Sequence, residues 1–549
     1  MLAKPDPLRQ KSLYRSGHWR AETIYDLAAG WAASAPGSQA VRDRLRRLSY
    51  RAFVEAADRL ADDLARHGLE AGDRVAIWLP SRIETTVAIL ACARNGYVCA
   101  PGLQRDHTVE QVLDLLGRMT ASALILQPGY GADAERRDIG PGLATLESLR
   151  HVYRVSPLET LADGDPLFGL DPGRAVCDPP PGDPDSVVYL PFTSGTTGEP
   201  KGVLHTDNTL LANARTIARD WHFGPDSCIY TMSPLSHNLG FGALISAIAV
   251  GAELVVHDLP RGASLLARLR EVGASFLFGV PTHAIDLLAE LRAGDDAGLP
   301  KLKGFRISGA AVPDAVCAEL LDHGITPQSG YGMTEACSHH YTLPDDPPER
   351  ITGTSGTACD GYEIRIWSQE DPDREAPVGE IGQIGGRGAS LMLGYYEDPE
   401  STAASFNAHG FFMTGDLGAL DADGYLKITG RKKDVIIRGG HNIYPARIES
   451  LTMRHGAVER AAAVPVPDDR LGERVCIAVT LRPGKTLAGE ALLAHLDEAG
   501  LSKYDMPEFY LQIDRMPLTS NGKILKRELN AKIERGEVAP RAVRWTAPD

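Results

Sequence analysis

From Leu48 onward the chain alternates two kinds of hydrophobic rhythm. In LSYRAFVEAADRLADDLARHG the apolar residues Phe53, Ala56, Leu60 and Leu64 fall on one face of a helix, Ser49 stands at its cap, and Gly68 stops it. The block that follows, RVAIWL, is short and unbroken and predicts a buried strand. A second helical pattern runs to Gly96, and strand–helix pairs recur around Ser122 to Leu126, Glu253 to Val256 and Phe276 to Phe278. This alternation predicts an α/β fold. The most apolar stretch, Leu239 to Ala252, is too short to span a bilayer and predicts a buried helix.

Two stretches interrupt the rhythm. Residues 129–186 are rich in Gly, Pro and Asp, end in CDPPPGDPDS, and predict a surface connection rather than core. The strand VVYLPF follows at once and delivers a glycine-rich loop at its end, where ligands of open α/β sheets collect. Near residue 430 Asp-Gly and Gly-Gly turns separate short strands, and about 110 residues with their own apolar segments remain. The expected organisation is a large unit over 1–431, a hinge at 432–433 and a small unit over 434–549.

Composition narrows the classes. The chain has 549 residues, 43% hydrophobic and 23% charged, which suits two or more soluble globular domains. A net charge of −15 gives no electrostatic footprint for nucleic acid, so a polyanionic ligand has to be met locally. The eight cysteines lie scattered at 92, 99, 177, 228, 317, 337, 359 and 476, without zinc spacing, and predict reduced thiols in a cytoplasmic protein. The start is charged and lacks the apolar run of a secretory signal, and no membrane contact is expected.

The chemistry begins with PFTSGTTGEPKGV, residues 191–203, where Thr193, Ser194, Thr196 and Thr197 crowd around Gly195 and Gly198 ahead of Lys201. Glycines let the backbone approach a ligand, hydroxyls and N–H groups bind oxyanions, and lysine adds a point charge. The composition points to phosphate. The lysine does not follow the second glycine directly, which excludes the P-loop of kinases and ATPases. An ordinary polar turn is the other reading of the stretch by itself.

Further stretches place glycine beside a hydroxyl, a carboxylate or a lone cation: PLSHNLGF (234–241), ISGAAVP (307–313), QSGYGMTEA (328–336), TGDLG (414–418), GRKKDVIIRGGHNIYP (430–445) and LTSNGKILKREL (518–529). Together and in this order, over about 45–530, they resemble the acyl- and aryl-adenylate-forming superfamily of acyl-CoA synthetases, adenylation domains of peptide synthetases and firefly luciferase. The resemblance implies a large multi-layered α/β domain, a small mobile α+β domain, and a reaction in which acid and ATP give acyl-AMP and pyrophosphate before a thiol displaces AMP.

By that likeness the 191–203 loop wraps the β- and γ-phosphates, and Lys201 offsets charge on departing pyrophosphate. Tyr331 is similar to the aromatic that covers adenine, Thr334 to the hydroxyl at the α-phosphate, and Glu335 to the carboxylate that holds Mg2+. Ser308, Gly309, Ala310, Gly332 and Met333 belong to the same nucleotide pocket. Asp416 resembles the acceptor of both ribose hydroxyls, with Arg431 beside it. Lys523 resembles the mobile lysine of adenylation, though a lysine after Asn-Gly by itself is a hairpin residue. The small domain is expected to turn about Lys433, exchanging Lys523 for a pantetheine channel lined by Gly439 and Gly440. His237 corresponds to a gate between acid and channel.

Two positions depart from the pattern. Gly385–Gly386 stand where relatives usually carry β-branched residues, which puts that strand's rigidity in question, and Cys359–Asp360 stand where Leu-Pro is common. The expected acid pocket of His237, Gly240, Phe241, Ser308, Gly309 and Gly332 is mostly small and apolar, without an aspartate for an amino group. That predicts an alicyclic, aromatic or medium-chain acid. Free CoA is the expected acceptor; a carrier protein, supported by His237–Asn238, is the alternative. A non-catalytic nucleotide sensor is the reading of another class, and a homodimer is kept open as the assembly.

Overall fold

The computed structural model describes residues 4–162, 164–194, 200–260, 262–294, 298–310, 312–519 and 522–545. Among these, 27 strands form four sheets. The largest, of nine strands, has a parallel centre in which Glu253–Val256, Cys228–Thr231, Phe276–Gly279, Gly304–Ile307 and Thr326–Met333 lie side by side. An eight-stranded sheet is built around Val98–Ala100, Arg74–Trp78 and Ala123–Leu126, also parallel. A four-stranded antiparallel sheet holds Tyr362–Trp367, Gly382–Gly388, Phe412–Leu420 and Leu426–Arg431. The α/β class read from the alternation is what the chain adopts.

Local chemistry accounts for the elements. The helix Tyr50–Arg66 is capped by Ser49, which accepts from the Ala52 N–H at 3.3 Å, and Phe53, Ala56, Leu60 and Leu64 are all buried. The apolar stretch near 240 forms the helix Asn238–Val250, packed within the largest apolar cluster and ended by Gly251 at φ +73°. Parallel strands covered by helices on both faces explain the unbroken apolar blocks in the sequence. Within the described residues no helix is long and apolar enough to cross a membrane.

Residues 129–186 correct the sequence reading in part. Residues 171–183 are exposed coil, as their composition predicts. His151–Arg154, however, is a strand that extends the eight-stranded sheet beside Ala123–Leu126, with Tyr153 buried. Four residues between Gly- and Pro-rich flanks carry too little pattern to be seen without their partner strand.

The chain beyond 435 has its own sheet, with separate apolar clusters on its two faces composed only of residues 436–545. Its grip on the rest is sparse. Among the described residues Arg454 pairs with Asp314 at 2.5 Å and Arg460 with Asp286 at 3.6 Å, and the Tyr444 hydroxyl accepts from Gln369 Nε2 at 3.2 Å. Gly522 meets Val280 and Thr282 of the large unit.

The glycine pair at 385–386 has a packing reason. A Cβ on Gly385 would run into the indole of Trp367, with Cδ1 2.6 Å away, and one on Gly386 would sit 2.6 Å from the Tyr362 hydroxyl. Large aromatic residues of the adjacent strand occupy the space that β-branched residues would fill. Gly385→Val is therefore expected to destabilise the fold by ~1–3 kcal/mol through overpacking, seen as a lower thermal-unfolding midpoint.

Candidate active site

The site collects at the C-terminal ends of the central parallel strands, where backbone and side chains of several crossovers converge. Gly304–Ile307 leads into Ser308 and Gly309, and Thr326–Met333 carries Tyr331 and leads into Thr334 and Glu335. Asp416 and Arg431 are cross-strand partners in the four-stranded sheet. Lys523 enters from the small unit on a turn closed by Thr519, whose hydroxyl accepts from the Lys523 N–H at 3.0 Å.

Four of these residues meet across large sequence distances. The Tyr331 hydroxyl donates to Asp416 Oδ2 at 2.8 Å, and Arg431 Nε lies 3.4 Å from Asp416 Oδ1. Burial pushes the Asp416 carboxyl up, and Arg431 opposes that shift. Lys523 lies over Gly309, where φ is +93° and an added Cβ would be 2.8 Å from its Cε. Its ammonium is lowered to about 8, first by burial and then by Arg431, with Asp416 acting the other way. The glycine is needed twice at 309: for the left-handed backbone and for room under the lysine.

His237 precedes the buried helix and feels the same lysine. Burial, then Lys523, lowers its imidazole to about 3, so the ring is neutral, and its Nδ1 is buried without a partner. In the tautomer that carries its proton on Nδ1, this nitrogen is a donor available to a carboxylate in the field of Lys523. Asn238 Nδ2 reaches the Met333 carbonyl at 3.5 Å, joining the two sides of this space. Phe241 is 1% exposed and stacked on Tyr189 at 3.9 Å, and a Cβ on Gly240 would run into the carbonyls of Ser233 and Pro234. Gly332 passes close to the backbone of Cys337 and Ser338.

Glu335 is held at both ends. Tyr395 donates its hydroxyl to Oε1 at 3.1 Å, Met392 N–H donates to its carbonyl at 2.7 Å, and burial raises the carboxyl. The preceding Thr334 carbonyl accepts from His205 Nε2 at 2.7 Å. Lys201 Nζ lies 4.9 Å from the centre of the Tyr395 ring, so one tyrosine joins the lysine of the phosphate stretch to the carboxylate. Tyr395 was not picked out in the sequence, where GYY carries no charge or hydroxyl cluster; it arrives because Gly394–Tyr395 pairs with Val203 and Leu204.

Other residues stand apart. Thr193 pairs with Lys201 in a short antiparallel ladder, while Gly195, Thr196, Thr197, Gly198 and the Ser194 side chain lie outside the described residues. Ala310 is described and exposed. Lys433 is in an exposed turn, and Gly439 and Gly440, with φ of +58° and +86°, form an exposed hairpin tip in the small unit. Asp63, His67 and His151 come within metal-ligand spacing. The two imidazoles stack at 3.6 Å, so their in-plane lone pairs run parallel, and the Asp63 oxygens already accept from Tyr153 and Arg174.

The family description "AMP-binding enzyme" matches residues 29–396, and "AMP-binding enzyme C-terminal domain" matches 447–523. The medium-chain fatty-acid–CoA ligase of Escherichia coli (strain K12) is 31% identical over 535 residues, covering 96% of this chain and 93% of that protein. A salicylyl-CoA synthase / salicylate adenylyltransferase of Streptomyces sp is 31% identical over 540 residues, covering 96% of each. Among solved structures, ATP-bound MatB from Rhodopseudomonas palustris superposes with a TM-score of 0.80 at 27% identity, covering 93% of this chain and 99% of that one.

Proposed function

The chain belongs to the AMP-binding enzyme family, and on that footing we propose that it is an ATP-dependent, AMP-forming acid–CoA ligase for an alicyclic, aromatic or medium-chain carboxylic acid. The observation that carries the reading is Lys523, brought from the small unit to Gly309 and set within the field of Asp416, Arg431 and His237.

In the first step a carboxylate oxygen of the acid attacks the α-phosphorus of ATP. The new O–P bond forms as the bridging P–O bond breaks, and pyrophosphate leaves with the electron pair. Lys523 places its ammonium against the charge that gathers on the carboxylate and bridging oxygen, and Lys201 meets the departing phosphates. Asp416 accepts from the ribose hydroxyls, with Tyr331 and Arg431 fixing its two oxygens. Mg2+, when bound, supplies charge neutralisation at the phosphates; Glu335, a carboxylate backed by the Tyr395 hydroxyl, fits one hard cation with its remaining oxygen and would hold it.

In the second step the CoA sulfur attacks the acyl carbon, the S–C bond forms, the bond to AMP oxygen breaks, and the thiol proton is lost to solvent. The exposed backbone at Gly439 and Gly440 is the reading's channel for the pantetheine arm, reached by rotation about Lys433. The neutral His237 beside small residues favours an uncharged acyl body. The relatives act, by name, on medium-chain fatty and salicylic acids, which supports the same range.

The His237–Asn238 pair favours one second reading, delivery of the acyl group to a separate carrier protein. The test for both is product analysis after incubation with ATP, Mg2+, a panel of acids, and either CoA or a phosphopantetheinylated carrier. AMP with acyl-CoA from octanoate, cyclohexanecarboxylate or benzoate is the expected result. Highest turnover on acetate or amino acids overturns the acid class, and AMP release only with the carrier overturns CoA.

A further inference from the structure

We propose that the N-terminal helix clamps the segment 388–396 and through it sets the position of Glu335, which makes Arg9 a positioning residue. The family description begins at residue 29, so the clamp lies outside the span it matches.

The helix Pro7–Ser16 is capped by Asp6, which accepts from the Arg9 N–H. Arg9 donates to three carbonyls in one turn of chain: Gly388 at 3.0 Å, Leu391 at 2.5 Å and Met392 at 3.3 Å. Trp19, 1% exposed, donates its indole N–H to Ala389 at 3.0 Å, and its ring lies 5.7 Å beneath the Arg9 guanidinium. The helix is itself fixed by Gln10 and Tyr14, which both donate to Asp185 at the start of the strand that feeds the phosphate stretch. A planar fork with five donors suits three converging carbonyls; an ammonium cannot span them in the same way.

The segment so gripped holds Glu335 and the residue after it. Met392 N–H donates to the Glu335 carbonyl, and Ser390 Oγ donates to the carbonyl of Ala336 at 2.9 Å. Three residues further on, Tyr395 donates to the Glu335 carboxylate and carries Lys201 over its ring. Arg9 on one side and Glu335 on the other therefore hold the same few peptide groups. Arg9 touches no predicted substrate site, and its effect passes through backbone.

Hydrogen exchange in the ligand-free full-length protein tests the coupling directly and does not depend on the proposed reaction. In Arg9→Met, peptides covering 333–338 and 388–396 are expected to exchange about tenfold faster, while peptides within 265–293 keep their rates. Arg9→Lys is expected to fall between the two. A second readout rests on the acid–CoA ligase reading: the Mg2+ concentration for half-maximal pyrophosphate exchange should rise at least fivefold, with acyl transfer from preformed acyl-AMP to CoA changed less than twofold. Unchanged exchange at 333–338 overturns the proposal, as does a loss shared equally by both half-reactions. Absence of pyrophosphate exchange in the wild-type protein would instead overturn the ligase reading and leave the hydrogen-exchange result to decide the clamp. If Arg9→Met does not fold, Tyr395→Phe reads the other end of the segment: faster exchange at 333–338 supports the coupling, and unchanged exchange overturns it.

Discussion

Lys523→Ala is expected to lower acid-dependent pyrophosphate exchange into ATP by roughly a hundredfold to a thousandfold, the loss typical of removing one preorganised group from developing negative charge. The same variant should transfer the acyl group from preformed acyl-AMP to CoA at close to the wild-type rate, because in the proposed cycle Lys523 serves the first bond exchange alone. The split between half-reactions separates this role from a structural one. An alanine variant with undiminished exchange would remove the lysine from the reaction.

The lysine also gives the reaction a pH signature whose sign is fixed. Burial, aided by Arg431, lowers its ammonium to about 8 in the ligand-free chain. The protonated form is the useful one, so kcat/KM for ATP should be constant below that pH and fall about tenfold per unit above it. Lys523→Arg, which keeps its charge in this range, should lose the alkaline limb while running more slowly.

Asp416→Ala carries the second large effect. In the proposed complex this carboxylate accepts from both ribose hydroxyls, and charge-assisted hydrogen bonds contribute ~1.5–3 kcal/mol each. A fall of roughly a hundredfold to ten-thousandfold in kcat/KM for ATP is expected. The substitution also takes the Asp416 acceptor from the buried Tyr331 hydroxyl and the ion-pair partner from the half-exposed Arg431, so part of the loss is structural. A nucleotide comparison isolates the ribose contribution: the wild type should discriminate against 2′-deoxy-ATP about tenfold or more, and Asp416→Ala should not discriminate. Equal discrimination by both proteins would place the ribose elsewhere.

Much of the architecture was legible because its signals are local. The helix at Tyr50–Arg66 writes its buried face every three to four residues and names its own cap, and strands such as Ala123–Leu126 and Phe276–Gly279 are unbroken apolar blocks because both of their faces are buried. The strand His151–Arg154 was not legible, since its identity comes from a neighbour rather than from its own four residues. The expected site residues rest on resemblance, with their motifs spread over some three hundred positions. What the sequence withheld is pairing at long range. The Tyr331–Asp416 bond spans 85 positions and the Arg9–Leu391 bond 382; no pattern in either segment refers to the other. Tyr395 shows the same limit, as a tyrosine in GYY becomes part of the site only once its strand lies beside Val203 and Leu204. The Gly385–Gly386 pair shows the reverse case, an oddity visible in the text whose explanation, the bulk of Trp367 and Tyr362, lies on the next strand.

Among the described residues the seam between the small unit and the rest contains two ion pairs, and the shorter one, Arg454–Asp314, joins side chains that are 44% and 38% exposed. A pair so well wetted holds with at most ~1 kcal/mol, and the other is a looser contact at 3.6 Å. A posture tethered that lightly has little inertia of its own: a guest that prefers one arrangement over another by a factor of only ten already outweighs either tether. In the proposed cycle cargo, rather than the scaffold, is then the timekeeper, releasing the lysine once pyrophosphate has gone and admitting the thiol in its turn.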